Sequence, residues 1–323
     1  MEKIGIIGSG TWGTAIAVLL VNNGHEVTLW SAIPAEIEEM AKTRTHKNLP
    51  GVTLPEGLVY TADLEKAMAD KDLLVMAVPS VFVRSTAQKM KPFCKDGQLI
   101  VDVAKGIEEN TLDTMTQIIK EELPMAETAV LSGPSHAEEV SRGLPTLCVA
   151  GSHKKKIAEY IQSTFISPVF RVYTSPDVLG IETGAALKNV VALAAGIADG
   201  LGYGDNAKAA LITRGMAEIA RLGVAMGGKY QTYTGLSGIG DLIVTCASMH
   251  SRNRRAGILI GKGYTMEEAM KEVLDKYPAL DGVFCTNAEV SEMFLEVNKD
   301  TGENKVAMVG VDATSKQQEA IQK

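Results

Sequence analysis

The chain opens with the order strand, glycine turn, helix, strand, and that order restricts its fold more than anything else in the sequence. "KIGII" (Lys3 to Ile7) reads as a buried strand, "TWGTAIAVLLVNNG" as a helix closed by Gly24, and "EVTLW" (Glu26 to Trp30) as a second strand. Between the first strand and the helix stands "GSGTWG", a G-x-G-x-x-G spacing at Gly8, Gly10 and Gly13. In a chain of this glycine content the spacing alone would arise by chance about 0.3 times, so its context carries the signal. Following a strand and opening a helix, Gly8 permits the tight turn, Gly10 lets the backbone approach a pyrophosphate, and Gly13 allows close packing of helix on strand.

The first half continues in alternation. Further strands are predicted at "DLLVMAVP" (Asp72 to Pro79), "QLIVDVAKG" (Gln98 to Gly106), "TAVLSGPS" (Thr128 to Ser135), "PTLCVAG" (Pro145 to Gly151) and "FRVYTS" (Phe170 to Ser175), with helical segments between several of them. Repeated strand and helix imply a parallel sheet wound on both faces. From about Pro176 the pattern becomes helical: Asp177 to Asp199, Asp205 to Met226, Gly240 to Ser248, Ser251 to Ile260 and Thr265 to Tyr277. The fold class expected is therefore α/β, a Rossmann-type doubly wound sheet over residues 1–180, followed by an all-α substrate domain over 181–323. Within the latter, residues 299–323 are polar and lack periodicity until their end, so poor order is expected there.

Composition narrows the partners. The net charge is −7 and no long basic run occurs, so there is no footprint for nucleic acid. Cys94, Cys148, Cys246 and Cys285 form no C-x-x-C pair and have no histidine at ligand spacing, which points to reduced thiols and to no metal site. "GSGTWG" interrupts the apolar stretch from Ile4, so no signal peptide is expected. The clean apolar run Val190 to Ala198 is about half of the ~20 residues that span a bilayer, and a cytoplasmic protein without membrane insertion is expected.

The second half contains a charge in an unusual place. In "GAALKNVVALAAG", Lys188 shares its helix face with Ile181, Gly184, Ala185, Val191, Ala192 and Ala195. An ammonium buried in such surroundings has a depressed pKa, and a lysine poised near neutrality serves as a general acid or base. "GLSGIGDLIVTC" places Asp241 and Thr245 four apart on one helix face, where the carboxylate would partner the lysine. In "SRNRR", Arg252 and Asn253 at a helix start suit a grip on a phosphate dianion. Lys105 ends a strand at the carboxyl edge where open α/β sheets bind ligands, and Gly133, Pro134 and Ser135 enter a helix whose free N–H groups can face an anion. The second strand ends at Ser31 with neither the acidic residue that reads a ribose 2′-hydroxyl nor the arginine that reads a 2′-phosphate. Glu36, Glu38 and Glu39 nearby disfavour the phosphate, and the coenzyme's identity stays open.

"GSGTWGTA", "VAKG", "LSGPSHAEEV", "FRVYTSPD", "GAALKNVVALAAGIADGLGYGDNAKAALITRG", "GIGDLIVTC" and "SRNRRAG" together resemble the bacterial NAD(P)-linked sn-glycerol-3-phosphate dehydrogenases, in order and spacing, over residues 1 to about 263. The resemblance implies reversible hydride transfer between NADPH or NADH and dihydroxyacetone phosphate, giving sn-glycerol 3-phosphate for phospholipid synthesis. It also admits a homodimer. It makes Lys188 the acid that protonates the ketone oxygen. Lys105, Asp241 and Thr245 would hold the reacting end, and Arg252 with Asn253 the phosphate. Gly133, Ser135 and Ser251 would line the substrate site, and Asn189 becomes a candidate for orienting substrate. Gly8, Gly10, Thr11, Trp12, Gly13, Ala32, Lys105, Ala137 and Arg252 would meet the coenzyme. The small residues Gly184, Ala185 and Ala192 read as room for a ligand beside Lys188.

The chain departs from the family in places. Ala32 and Ile33 replace a His-Arg pair, Asn48 replaces a tyrosine, and "ALDG" replaces V-E-G, making Asp281 a shorter substitute for a coenzyme-contacting glutamate. Beyond about Asn298 the likeness ends. Two rival readings are a β-hydroxyacid dehydrogenase acting on a carboxylate substrate and a nucleotide-binding inactive relative.

Overall fold

The opening unit forms as the sequence predicts, with β1 (Lys3–Ile7), α1 (Thr11–Asn22) and β2 (Glu26–Trp30) in succession. The protein, in a computed structural model, is described over residues 1–265 and at 268, together with two short strands, Gly282–Cys285 and Ala307–Gly310. After β2 come α2 (Pro34–Thr43), β3 (Leu58–Thr61), α3 (Leu64–Met68), β4 (Leu73–Met76), α4 (Val83–Met90), β5 (Leu99–Asp102), α5 (Met115–Glu122) and β6 (Glu127–Ser132). Then follow α6 (Ala137–Val140), β7 (Thr146–Gly151), α7 (Lys155–Phe165) and β8 (Phe170–Ser175).

The eight strands form one sheet in the order β3-β2-β1-β4-β5-β6-β7-β8. Strand order reverses direction between β1 and β4, and the crevice outside such a switch point is where open α/β sheets take ligands. Successive side chains go to opposite faces of the sheet. Accordingly Ile4, Ile6, Leu73, Val75 and Val101 enter one core cluster, beneath α1 and α7, while Ile7, Leu74, Met76 and Ile100 enter another, beneath α3, α4 and α5.

Two features differ from expectation. The strand β3 was not foreseen: "LVYT" is short, and only Leu58 of its four residues is buried. The sheet is also not wholly parallel, for β7 runs antiparallel to β6, and β8 is parallel to β7. The connection between β6 and β7 carries only the four-residue α6, too short to lie across the sheet as the helix of a parallel crossover does.

The helical part comprises α8 (Val178–Gly200), α9 (Gly204–Ala225), α10 (Tyr230–Tyr233), a π-helical turn at Leu236–Gly240, α11 (Asp241–Ala247) and α12 (Arg252–Gly261). The expected helix from Thr265 to Tyr277 falls almost wholly outside the described residues. In the stretch where poor order was expected, Ala307–Gly310 instead pairs in parallel with Gly282–Cys285; the rest of 299–323 lies outside the described residues. Although α8 has the length and mean hydropathy, 1.4, of a bilayer span, 61% of that stretch is buried.

The chain divides into two compact units, Met1–Ala192 with Ala210–Ser251, and Leu193–Ala209 with the chain from Arg252 onward. This partition differs from the expected one at residue 180, because the first half of α8 and most of α9 cluster with the sheet. In the first unit, α8 is anchored by buried Glu182, whose carboxylate accepts hydrogen bonds from Thr114 Oγ1 (2.7 Å), Thr116 N (2.8 Å) and Thr116 Oγ1 (2.6 Å). In the second unit, α8 and α12 meet through glycines at matching spacing. A Cβ at Gly196 would lie 2.1 Å from the Arg254 carbonyl oxygen, and one at Gly257 would lie 2.1 Å from that of Leu193. Asp199 holds the same crossing, accepting from Arg254 Nη2 at 2.7 Å and Nε at 2.9 Å and pairing with Lys208 at 2.6 Å.

Candidate active site

The glycine turn does what its spacing requires. Gly8 has φ +123°, and a Cβ there would lie 2.7 Å from the Ala77 carbonyl carbon. A Cβ at Gly13 would lie 2.0 Å from the Gly8 carbonyl oxygen, so the third glycine lets α1 close onto the turn. Gly10 differs: nothing lies within 4 Å of the position its Cβ would take. The amino end of α1 has no side-chain cap and no acidic residue in its first turn, leaving N–H groups and the positive end of the helix dipole for an anion. Thr14 Oγ1 donates to the Ser9 carbonyl at 2.9 Å and fixes the loop. These features fit a dinucleotide pyrophosphate. Thr11 is half-buried beside the turn, and Trp12 packs part of its ring on the core beneath α1. Ala32 is exposed at the end of β2, and Ala137 is buried at the start of α6.

The lysine predicted to be buried is buried. Lys188 is 6% exposed, and its Nζ donates to Thr245 Oγ1 at 2.7 Å and to Asn189 Oδ1 at 3.3 Å. Thr245 in turn donates its hydroxyl proton to the Asp241 carbonyl oxygen at 2.6 Å, so its lone pairs face the ammonium. Asp241, 2% exposed, lies between two lysines: its Oδ1 is 3.5 Å from Lys188 Nζ, and its Oδ2 accepts from Lys105 Nζ at 2.5 Å. The sequence pointed to Asp241 as the partner of Lys188, whereas the shorter bond is to Lys105. Lys105 also donates to the Gly133 carbonyl at 3.1 Å, and Ser135 Oγ donates to that carbonyl at 3.0 Å. Burial, followed by the charge of Lys105, lowers the Lys188 amine to about 8, against the opposing pull of Asp241.

Local folding explains why these groups converge. Lys105 leaves the carboxyl end of β5, where Asp102 Oδ1 accepts from the Ala104 N–H at 3.2 Å and shapes the turn. Gly133 has φ +156°, and a Cβ there would lie 2.8 Å from the Leu147 carbonyl oxygen, so a glycine is needed where β6 meets β7. The π-helical turn ahead of α11 directs Asp241 inward, and its glycines hid it from periodicity. Gly184 does not leave room for a ligand: a Cβ there would lie 2.9 Å from the Ser237 carbonyl oxygen, so this glycine serves the contact between α8 and the π-helical turn. Cys148, behind Gly133, has its thiol pushed up to about 12 by burial and is no nucleophile at neutral pH.

Lys105, Gly133, Ser135, Lys188, Asn189, Asp241 and Thr245 therefore form one connected cluster, within the first compact unit, and Ser251 is buried at that unit's end. Arg252 and Asn253 belong to the second unit, where they open α12, Arg252 exposed and Asn253 half-buried. Asp281 lies outside the described residues. Among the described residues, no group of three or more His, Cys, Asp or Glu side chains is arranged to hold a metal ion.

Comparison with known proteins places the chain in a family. The model of the NAD-dependent glycerol-3-phosphate dehydrogenase N-terminus matches residues 3–158, and that of its C-terminus matches residues 177–300. The chain belongs to the NAD-dependent glycerol-3-phosphate dehydrogenase family. The second match runs past residue 263, where the quoted motifs end. Among relatives, the glycerol-3-phosphate dehydrogenase [NAD(P)+] of Agathobacter rectalis is 58% identical over 292 residues, covering 90% of this chain and 86% of that protein. That of Fusobacterium nucleatum is 60% identical over 276 residues, covering 84% and 82%. Among solved structures, glycerol-3-phosphate dehydrogenase from Coxiella burnetii aligns with a TM-score of 0.81 at 32% identity, over 100% of this chain and 99% of that one.

Proposed function

We propose that this chain reduces dihydroxyacetone phosphate to sn-glycerol 3-phosphate with NADH or NADPH, and runs the reverse oxidation, supplying phospholipid synthesis. The observation that carries this reading is a buried lysine, lowered to about 8, in the same fold as a glycine turn suited to pyrophosphate. The nicotinamide supplies the hydride that reduces the carbonyl carbon. Lys188 gives a proton from Nζ to the carbonyl oxygen, and takes it back in the oxidation. Thr245 and Asn189 aim that Nζ, while Asp241 balances the charge of two ammonium groups. Lys105 steers the polar end of the substrate, Gly133, Ser135 and Ser251 line its site, and Arg252 with Asn253 binds the phosphate. Gly8, Gly10, Thr11, Trp12, Gly13, Ala32, Lys105, Ala137 and Arg252 serve the coenzyme, and Asp281 joins them as a shorter stand-in for glutamate.

Residues 1–180 act as the dinucleotide-binding part and 181–323 as the helical substrate part. The same reading makes the enzyme a cytoplasmic homodimer with no nucleic-acid partner and no membrane insertion; the net charge of −7 weighs against the first, and the burial along α8 against the second. The test is direct. Purified protein oxidises NADH or NADPH, followed by loss of absorbance, when dihydroxyacetone phosphate is added. Turnover of a 3-hydroxy acid alone, or of nothing, overturns the reading.

A further inference from the structure

The choice between NADH and NADPH is left open by the family, and the end of β2 bears on it. A dinucleotide-binding fold meets the adenosine ribose there, some 20 residues beyond the glycine turn, with an acidic side chain for a 2′-hydroxyl or an arginine for a 2′-phosphate. In this chain β2 runs into Ser31, Ala32 and Ile33, none of which is charged. The charge arrives one helical turn later. Glu36, in the first turn of α2, reaches back so that its Oε2 accepts from the buried Ser31 hydroxyl at 3.4 Å and from the Ser9 hydroxyl at 3.4 Å. Ser9 is the residue between the first two glycines of the turn, so this one carboxylate bridges the end of β2 and the pyrophosphate loop.

The other charged or titratable groups at this corner are few. His46 is buried beside the same loop; Asn48 N donates to its Nδ1 at 3.1 Å, and burial lowers its pKa, so the ring is neutral at pH 7. Lys47 Nζ lies 3.5 Å from Glu36 Oε1, but its side chain is 75% exposed against 27% for Glu36. Glu38 and Glu39 are exposed on α2 and add negative charge. Solvated Lys47 is therefore the sole cation among these residues.

We propose that Glu36 selects NADH over NADPH, its carboxylate accepting from the ribose hydroxyls and repelling a 2′-phosphate. This assignment rests on the dinucleotide reading given above. One negative charge facing a phosphate at a partly solvated site discriminates by about tenfold or more. The experiment is titration of the purified protein, without substrate, with NADH and separately with NADPH, followed by coenzyme fluorescence, for the wild type and for Glu36→Gln. The wild type is expected to bind NADH at least ~10-fold tighter, and the substitution is expected to shrink that ratio chiefly by strengthening NADPH. Equal binding of the two coenzymes by the wild type, or tighter binding of NADPH, overturns the assignment. So does a substitution that weakens both alike, which is what a purely structural tie between α2 and the loop would produce. Binding of neither coenzyme overturns the dinucleotide reading itself, and this assignment with it.

Discussion

At the scale of single residues, the site depends on how three charges share one buried space. Lys188 would have no reason to stay charged in an apolar helix face, and Asp241 supplies that reason while Lys105 works against it. Lys188→Ala is expected to lower turnover at least ~100-fold, the usual scale for a general acid, and to leave NADH binding intact in a fluorescence titration. A mutant with near-normal rate would refute the role. The pH dependence follows from the direction of the shift. Reduction needs the protonated amine, so kcat/KM for dihydroxyacetone phosphate should fall as pH rises through about 8, while that for glycerol phosphate oxidation should rise. Asp241→Asn removes the negative charge that holds the proton on, so the same limb should move to lower pH. The lysine's strangeness was legible from helical periodicity. Its division of labour was not, because periodicity places residues on a face but does not say which of two amines approaches a carboxylate at 2.5 Å and which stops at 3.5 Å.

At the scale of elements, backbone contacts decide what side-chain patterns could not. Gly184 looked like an opening beside the lysine and proved to be a close approach of two backbones, a distinction that depends on what lies opposite the helix. In the second unit, Gly196 and Gly257 let α8 and α12 approach until a carbonyl of one occupies the space of a Cβ on the other. Gly257→Ala should therefore cost about 1–3 kcal/mol or more through overpacking, read as a fall in the urea midpoint at unchanged slope. On the phosphate-binding role proposed for Arg252 and Asn253, which stand at the start of α12, the same substitution should raise the KM for the phosphate substrate more than it lowers kcat. In the first unit, Glu182→Ala strips the acceptor from three hydrogen bonds made by Thr114 and Thr116, and about 3 kcal/mol should be lost in the same measurement. Strands and helices with strong periodicity were readable in advance. The strand β3 was not, since four residues with one buried leave no pattern, and neither was the turned direction of β7, which follows from the brevity of α6.

At the scale of the molecule, the open Gly10 and the uncapped end of α1 are features that a bound coenzyme would turn into stability. A coenzyme at one hundred times its Kd adds about 2.7 kcal/mol to the stability of the folded state. Melting followed by circular dichroism should therefore shift upward by several degrees with NADH present, and Gly10→Ala should shrink the shift while leaving the melt without coenzyme nearly unchanged, because the added Cβ meets open space. The depressed amine also changes how the whole chain reacts with its surroundings. An ordinary exposed lysine at pH 8 has less than about one per cent of its amine unprotonated, whereas Lys188, lowered to about 8, has far more of its amine in that form. Small electrophiles that reach the site, such as cyanate, should thus carbamylate this amine faster than they do the exposed lysines, inactivating the enzyme, unless bound substrate bars the way.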